Sequence, residues 1–463
     1  MTRFDGLVAV VAGAGVSGAA AARALRDRGA DVVVVDGSEE RAAPLREEGL
    51  VVVDADAPPP GTHLVVTSPG WRPDAPLLVA AQRAGVEVIG EVALAQRLAG
   101  PGGPDWLAVT GTNGKTTTVT LLEQVLRADG RRTVAAGNIG LPLVEAVQGP
   151  YDVLAVELSS FQLHWSPDVV VHAGAVLNVA DDHVDWHGSA DAYARDKARI
   201  WAHPGAVAVG GVDDPVARRL LRAAPGRQVG CTLGSPRVGE LGVVEHLLVD
   251  RAFPDVPGEA TALGELSDVR LAGDHNVANA LVAAALARAY GASADAVAEG
   301  LRRTEPGAHR NALVAVHEGV TWVDDSKATN PHAAAASLSA HAPVVWLAGG
   351  LLKGARVEEL VEAVAPRLRG VVLLGTDRAA FAEALARHAP EIPVVEVARL
   401  DTGAMLEAVT AAGRLAVPGD TVLLAPAAAS MDCFRDYAER GRLFAEAVRV
   451  RTGGAGADGG DTA

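Results

Sequence analysis

An apolar run, Trp106 to Thr110, feeds directly into Gly111-Thr112-Asn113-Gly114-Lys115-Thr116-Thr117 and then into a helix-forming stretch. Strand, glycine turn and helix in that order place the turn at the carboxyl edge of a parallel sheet, so the chain is an α/β protein. Successive amides of such a turn form an anion nest, Lys115 can reach the outer phosphates, and the Thr116 hydroxyl can ligate Mg²⁺. Val109 stands where the strict motif has its first glycine. The segment predicts a nucleoside triphosphate site.

A second glycine loop, Gly13-Ala-Gly15-Val16-Ser17-Gly18, follows the strand-like run Leu7–Ala12 and opens an Ala/Arg helix to Arg28. Asp36 ends the next strand, eighteen residues after Gly18. That context suits a diphosphate on a helix N-terminus and a ribose hydroxyl on the acid. A dinucleotide, another nucleotide such as a UDP-sugar, and a purely structural turn all remain open on this loop alone. The turn Thr67-Ser68-Pro69-Gly70 ends another strand of the same unit and can add contacts to the same ligand.

Composition sharpens the search. Of 41 basic residues only four are lysine, Lys115, Lys197, Lys327 and Lys353, and asparagine occurs only seven times. A chain that writes its surface cations as arginine keeps lysine where a compact or deprotonatable amine is needed. Net charge is −16, which argues against nucleic acid or an anionic membrane as the main partner. The two cysteines, Cys231 and Cys433, cannot build a disulfide framework, and no apolar run reaches membrane-spanning length. Asp5 and the glycines after Ala12 break the apolar N-terminal run, so a secretion signal is not expected and a cytoplasmic protein is.

Carboxylates supply a metal reading. The strand Val153–Glu157 delivers Glu157 at its carboxyl end. Asn178-Val-Ala-Asp181-Asp182-His183-Val-Asp185-Trp-His187 leaves the next strand, Val169–Asn178, and oxygens with an imidazole suit Mg²⁺ or Mn²⁺. Lys197 follows on a helix between Arg195 and Arg199. Strand–helix alternation, a linker at Gly100–Pro104 and a third alternating unit after Arg310 divide the chain at 1–100, 101–309 and 310–451. A small β insertion is expected over Gly239–Val269, and the Gly/Asp-rich tail 452–463 reads as disordered.

Together Gly111–Thr117, Gly137-Asn138-Ile-Gly140, Glu157-Leu-Ser-Ser-Phe-Gln162, Asn178–Asp185, Gly273-Asp-His-Asn276-Val-Ala-Asn279 and His309-Arg310 resemble the Mur ligases. These are ATP-dependent amide-bond-forming enzymes of peptidoglycan precursor synthesis, and the resemblance covers all but the tail. It implies three domains: a Rossmann-like UDP-binding domain, a central P-loop ATPase-type domain and a C-terminal Rossmann-like domain. Asp325-Ser-Lys327-Ala-Thr329-Asn-Pro is similar to the member type that joins D-glutamate to UDP-N-acetylmuramoyl-L-alanine through an acyl phosphate. The implied cofactors are ATP, two Mg²⁺ (or Mn²⁺) and a CO₂-derived carbamate on Lys197, in a monomer.

The resemblance also implies residue roles. Gly111, Thr112, Asn113, Gly114, Lys115, Thr116 and Thr117 would bind ATP, with Asn276, Asn279, Arg310, Asp325 and Lys327. Thr116, Glu157, His183 and carbamylated Lys197 would hold metal, and Lys115, Asn138, His183 and Lys197 would carry catalysis. The UDP-substrate would meet Gly15, Val16, Ser17, Asp36, Ser68, Pro69, Gly70, Asn138, Ser159, Gln162 and His183. D-Glutamate would meet Thr329, Lys353, Ser430 and Tyr437. Two stretches depart from the family pattern, Gly349-Gly350-Leu351-Leu352-Lys353 and the alanines Ala425 and Ala428, and both fall on the amino-acid pocket. A third domain closing over the nucleotide, about hinges near Gly102 and Arg310, is expected. The competing readings are a folylpolyglutamate synthetase-like ligase, which would lack the N-terminal unit, an NAD-dependent oxidoreductase, and a non-catalytic ATP-binding switch.

Overall fold

A computed structural model describes residues 4–180, 182–271, 273–305 and 307–453. Asp181, expected in the acidic metal segment, and the tail beyond Gly453, expected to be disordered, lie outside these residues. Thr452 itself ends the helix Tyr437–Thr452.

Among the described residues three sheets account for the strands. The first, of five parallel strands, runs Val51–Val53, Asp31–Val35, Val8–Ala12, Leu64–Thr67, Glu87–Gly90. Strand order reverses around Val8–Ala12, so the glycine loop after Ala12 sits where an open sheet leaves a crevice. The uninterrupted apolar character of Val8–Ala12 is what a strand covered on both faces requires.

The second sheet has nine strands. Its parallel part places Asp105–Thr110 between Val153–Glu157 and Ala173–Val176, with Val109 opposite Glu157 and Thr110 opposite Val176. The Val169–Asn178 run is shorter as a strand than its apolar pattern predicts. Val169 and Val171 are buried as an approach segment, and ladder pairing begins only at Ala173. The expected β insertion is an extension of this same sheet. Glu240–Val244 joins it in parallel, and Leu247–Asp250 and Thr261–Glu265 fold back antiparallel.

The first two sheets belong to one compact unit and share an apolar core. Gly90 donates to Trp165 O at 2.8 Å and Glu91 Oε1 accepts from Val144 N at 2.9 Å, joining the N-terminal and middle parts.

The second unit holds a six-stranded sheet ordered Ala312–His317, Val320–Asp324, Thr421–Leu424, Val344–Gly349, Leu368–Leu374, Val394–Glu396. Only the first of these strands is antiparallel. Trp346 Nε1 donates to Ala425 O at 2.7 Å, which fixes the loop after Leu424 against its neighbouring strand. No helix among the described residues is long and apolar enough to cross a membrane.

Candidate functional site

Three adjacent strands of the middle sheet end side by side, and each delivers one part of the site. Thr110 leads into the glycine loop, Glu157 closes its strand, and Asn178 follows Val176. Asn178 stitches the loop in place: its Oδ1 accepts from Asn113 N at 2.9 Å and its O accepts from Thr112 N at 3.0 Å. Gly114 caps the helix Lys115–Ala128 at φ +86°, and a Cβ there would collide with Asn279 Oδ1. Only glycine fits that backbone and that approach. Asn279 and Asn276 lie on one turn of the helix Asp274–Ala289, with Asn279 Nδ2 donating to Asn276 Oδ1 at 3.2 Å. Thr116 and Thr117 stand in the first turn after Lys115.

Lys115 folds back over the loop, its Nζ donating to Gly111 O at 2.8 Å and Thr112 O at 2.9 Å. Lys197 reaches the same Gly111 oxygen at 2.8 Å from the helix Ala190–Ala198, with its Nζ 4.4 Å from the centre of the Tyr193 ring. Its side chain is fully buried. Burial first, and the charge of Lys115 second, hold the Lys197 ammonium well below the usual lysine range, against the pull of Asp182 and Glu157.

Glu157 is buried too. Its Oε1 accepts from Asn138 Nδ2 at 2.8 Å, while its Oε2 has no hydrogen-bond partner among the described residues. A buried carboxylate oxygen without a donor is costly unless a cation meets it, so the donor set fits a hard divalent ion. His183 supplies an imidazole held in a left-handed backbone conformation at φ +51°. Its ring meets Phe161 edge-on at 4.8 Å. Burial lowers its pKa, Asp182 opposes that, and Lys197 and Lys115 add to it, so a neutral ligand nitrogen is favoured.

Ser159 and Gln162 do a local job in this structure. Ser159 Oγ accepts from Gln162 N at 3.2 Å, and Gln162 Oε1 accepts from Ser159 N at 2.9 Å. This reciprocal cap starts the helix Ser160–His164 and turns the Gln162 amide inward. Beside it lies a cluster that the sequence reading missed. His164 Nδ1 and His187 Nδ1 both meet Asp196 Oδ2, at 2.9 and 2.8 Å, and Arg199 reaches Asp196 Oδ1 at 3.2 Å. The signal was present, since Asp196 immediately precedes the scarce Lys197.

The N-terminal loop is equally tight. A Cβ on Gly13 would lie 2.7 Å from Ser68 Oγ and 3.0 Å from Trp71 Nε1, so the Ser68-Pro69-Gly70 turn packs directly on it. A cavity of about 410 Å³ opens beside Gly15 and Val16 and is lined also by Arg23, Arg41, Pro142 and Glu145. Ser17 follows in the first turn of the helix Val16–Arg26. Asp36 is occupied by the chain's own donors: Ala14 N and Ser38 N at 2.7 and 2.8 Å, and Arg41 at 2.8 and 3.0 Å. Burial would raise its pKa, but Arg41 and the two amides outweigh it and hold the carboxyl down at about 2. The expected ribose acceptor has no oxygen left uncommitted, and Arg41 is the group it presents to the cavity.

In the second unit, the loops after Asp324, Gly349 and Leu424 leave three neighbouring strands, Thr421–Leu424 lying between the other two. They carry Lys327 and Thr329, Lys353, and Ser430 respectively. Lys327 Nζ lies 3.7 Å from the centre of the Tyr437 ring, a cation–π contact. Lys353 is exposed, with φ +52°. Burial pushes the Asp325 carboxyl up to about 6 despite Ser337, the Asn311 amide and Arg310. Arg440, also missed from sequence, is fully buried and donates to Ser326 Oγ, Ser326 O and Ala428 O at 3.0, 2.9 and 3.1 Å. It holds the Lys327 and Ser430 loops to one frame.

Residues 109–287 match the Mur ligase middle domain, residues 309–428 the glutamate ligase domain of Mur ligases, and residues 9–62 a TrkA-N domain. The chain belongs to the Mur ligase family. Two curated relatives carry the name UDP-N-acetylmuramoylalanine--D-glutamate ligase. The Streptomyces avermitilis protein is 58% identical, covering 97% of this chain and 99% of its own. The Thermobifida fusca protein is 58% identical, covering 96% and 98%. Among solved structures, the MurF ligase from Thermotoga maritima in complex with ADP shares the fold of this Mur ligase. Its TM-score is 0.59 at 17% identity, covering 97% of this chain and 96% of that one. The three-domain α/β architecture expected from sequence is thus the family's.

Proposed function

We propose that this Mur ligase joins D-glutamate to UDP-N-acetylmuramoyl-L-alanine at the expense of ATP. The observation that carries the reading is near-full-length similarity, at 58% identity, to ligases named for that reaction. The geometry supports it. A glycine loop with Lys115 and Thr116 at a long helix N-terminus suits the triphosphate, as does the ADP held by the Thermotoga maritima protein of like fold. Thr116, Glu157, His183 and Lys197 would hold divalent metal, whose chemistry when bound is to neutralise converging anions. Lys197 would serve as a carbamate: its neutral amine nitrogen bonds to the carbon of CO₂, loses a proton and presents oxygens in place of a cation.

Lys115 would steady the outer phosphates while the muramoyl-alanine carboxylate oxygen bonds to the γ-phosphorus and the bridge bond to ADP breaks. The D-glutamate nitrogen then bonds to the acyl carbon and loses a proton, and the acyl C–O bond breaks to release phosphate. Asn138 and His183 would orient the acyl end, with the UDP group in the Gly15–Val16–Arg41 cavity. The Ser68-Pro69-Gly70 turn and Ser17 would border that cavity, and the Ser159–Gln162 cap would shape its acyl side. Asn276 and Asn279 lie on the ATP side, and Arg310, Asp325 and Lys327 are assigned to ATP in the closed enzyme. Thr329, Lys353, Ser430 and Tyr437 are assigned to D-glutamate.

Oxygen labelling tests the route. With ¹⁸O in the muramoyl-alanine carboxylate, one labelled oxygen should appear in released phosphate, alongside a product heavier by one glutamyl residue. Unlabelled phosphate with the same product would overturn the acyl phosphate. Absence of product would overturn the assignment.

A further inference from the structure

One buried carboxylate ties together the three short helices that carry the middle-domain site. Asp196 stands on Ala190–Ala198 beside Lys197. His187 ends Val184–His187, the helix that His183 caps. His164 ends Ser160–His164, the helix that Ser159 caps. Both imidazole Nδ1 atoms meet the same oxygen, Asp196 Oδ2, at 2.8 and 2.9 Å, while Arg199 takes the other oxygen and also donates to His164 O. His187 is wholly enclosed, and its Nε2 meets Ser160 Oγ at 3.0 Å, so both ring nitrogens are committed. Its ring stacks on Phe161 at 5.4 Å and 10°, and the other side of the contact is Phe161 against His183 at 4.8 Å.

These three side chains also have ligand atoms within 4.8 Å of one another. A metal ion there would have to displace the shared protons and sit beside the Arg199 guanidinium, so hydrogen bonding is the arrangement that the charges favour.

We infer that Asp196 and His187 are positioning residues. They fix the helix bearing Lys197 and the turn bearing His183 at one relative placement, through the hydrogen bond of His187 to Asp196. The inference rests on the proposed metal roles of Lys197 and His183. Hydrogen-bonded groups behind metal ligands commonly change affinity or activity by about 10–100-fold when removed.

The test compares Asp196→Asn, His187→Phe and His187→Asn with the unaltered protein. His187→Phe keeps the stacked ring but has no donor, whereas His187→Asn keeps an N–H near the Nδ1 position. Two readouts are taken: steady-state kcat and KM for ATP, and Mn²⁺ affinity in the presence of ADP from the electron paramagnetic resonance of free Mn²⁺. Asp196→Asn and His187→Phe should lose about 10–100-fold in kcat and at least about tenfold in Mn²⁺ affinity. KM for ATP should stay within about twofold, since neither Asp196 nor His187 itself bonds the glycine loop. His187→Asn should stay within about threefold of the unaltered protein on both readouts.

Unchanged Mn²⁺ affinity in His187→Phe, or equal loss in His187→Asn and His187→Phe, would overturn the inference. Should Asp196→Asn fail to fold, the two His187 variants decide alone. An unaltered protein that is inactive with these substrates would overturn the function instead, and the Mn²⁺ titration would still decide the positioning.

Discussion

Lys115 and Lys197 donate to one and the same acceptor, the backbone oxygen of Gly111, each at 2.8 Å. Two ammonium groups converging on one oxygen repel strongly where little water screens them. Lys115 has Thr112 O as a second acceptor, while Lys197 is fully enclosed. Burial and the charge of Lys115 disfavour the ammonium form of Lys197, and the carbamylation proposed for it needs a neutral amine.

Replacing Lys197 separates its chemistry from its packing. Lys197→Ala should lower kcat by about a hundredfold or more, since an oxygen ligand and its charge are lost from the site. Acetate or formate should restore part of that activity by standing in for the carbamate. Lys197→Arg cannot deprotonate and should be neither active nor rescued. Steady-state turnover across a carboxylate titration measures this. Rescue of neither variant would point to a structural lysine.

Gly114→Ala probes the loop itself. The left-handed backbone and the collision with Asn279 Oδ1 act together, and the former alone costs about 1–2 kcal/mol for a residue with a Cβ. A lower thermal midpoint and weaker binding of a non-hydrolysable ATP analogue are expected, the second because the helix N-terminus is displaced. Unaltered analogue binding would show that the nucleotide does not use this turn.

Stability should depend on pH through Glu91. The side chain is buried, one oxygen accepts from Val144 N and the other has no hydrogen-bond partner among the described residues. Burial pushes its carboxyl from 4.5 up to about 7, despite the amides of Val144 and Leu143. A folded pKa above the unfolded one means that the native state keeps a proton which the unfolded chain releases. Its contribution is full below about pH 4.5 and is lost as pH rises through 7, by at most about 3 kcal/mol. Denaturant unfolding from pH 5 to 8 should show this decline, and Glu91→Gln should flatten it. Parallel pH profiles for the two proteins would refute the account.

Much of this was legible in the sequence because glycine loops and strand ends carry strong local signals. Val153–Glu157 falls where its apolar run puts it and Val8–Ala12 within one residue of its own, and the four lysines singled out by scarcity all lie at or beside strand-end loops or the P-loop. The strand Thr133–Gly137 escaped notice because two alanines and a glycine give it little β character. What sequence could not give was partnership across the fold. Asp36 reads as a ribose acceptor, and its pairing with Arg41 through both oxygens is seen only in the fold. Ser159 and Gln162 read as substrate ligands, yet three-residue spacing is also that of a helix cap. Asp196, His187 and Arg440 find their partners at long sequence separations or by burial, which no local pattern announces.

The most direct test of the central claim is phosphate release from ATP with UDP-N-acetylmuramoyl-L-alanine, run side by side with D-glutamate, L-glutamate and no amino acid. Release with D-glutamate alone, with one phosphate per glutamyl product, is the predicted result. Release with L-glutamate alone would keep the ligase chemistry and contradict the acceptor, placing the cause in the altered Gly349–Lys353 stretch. No release with either would contradict the proposed function outright.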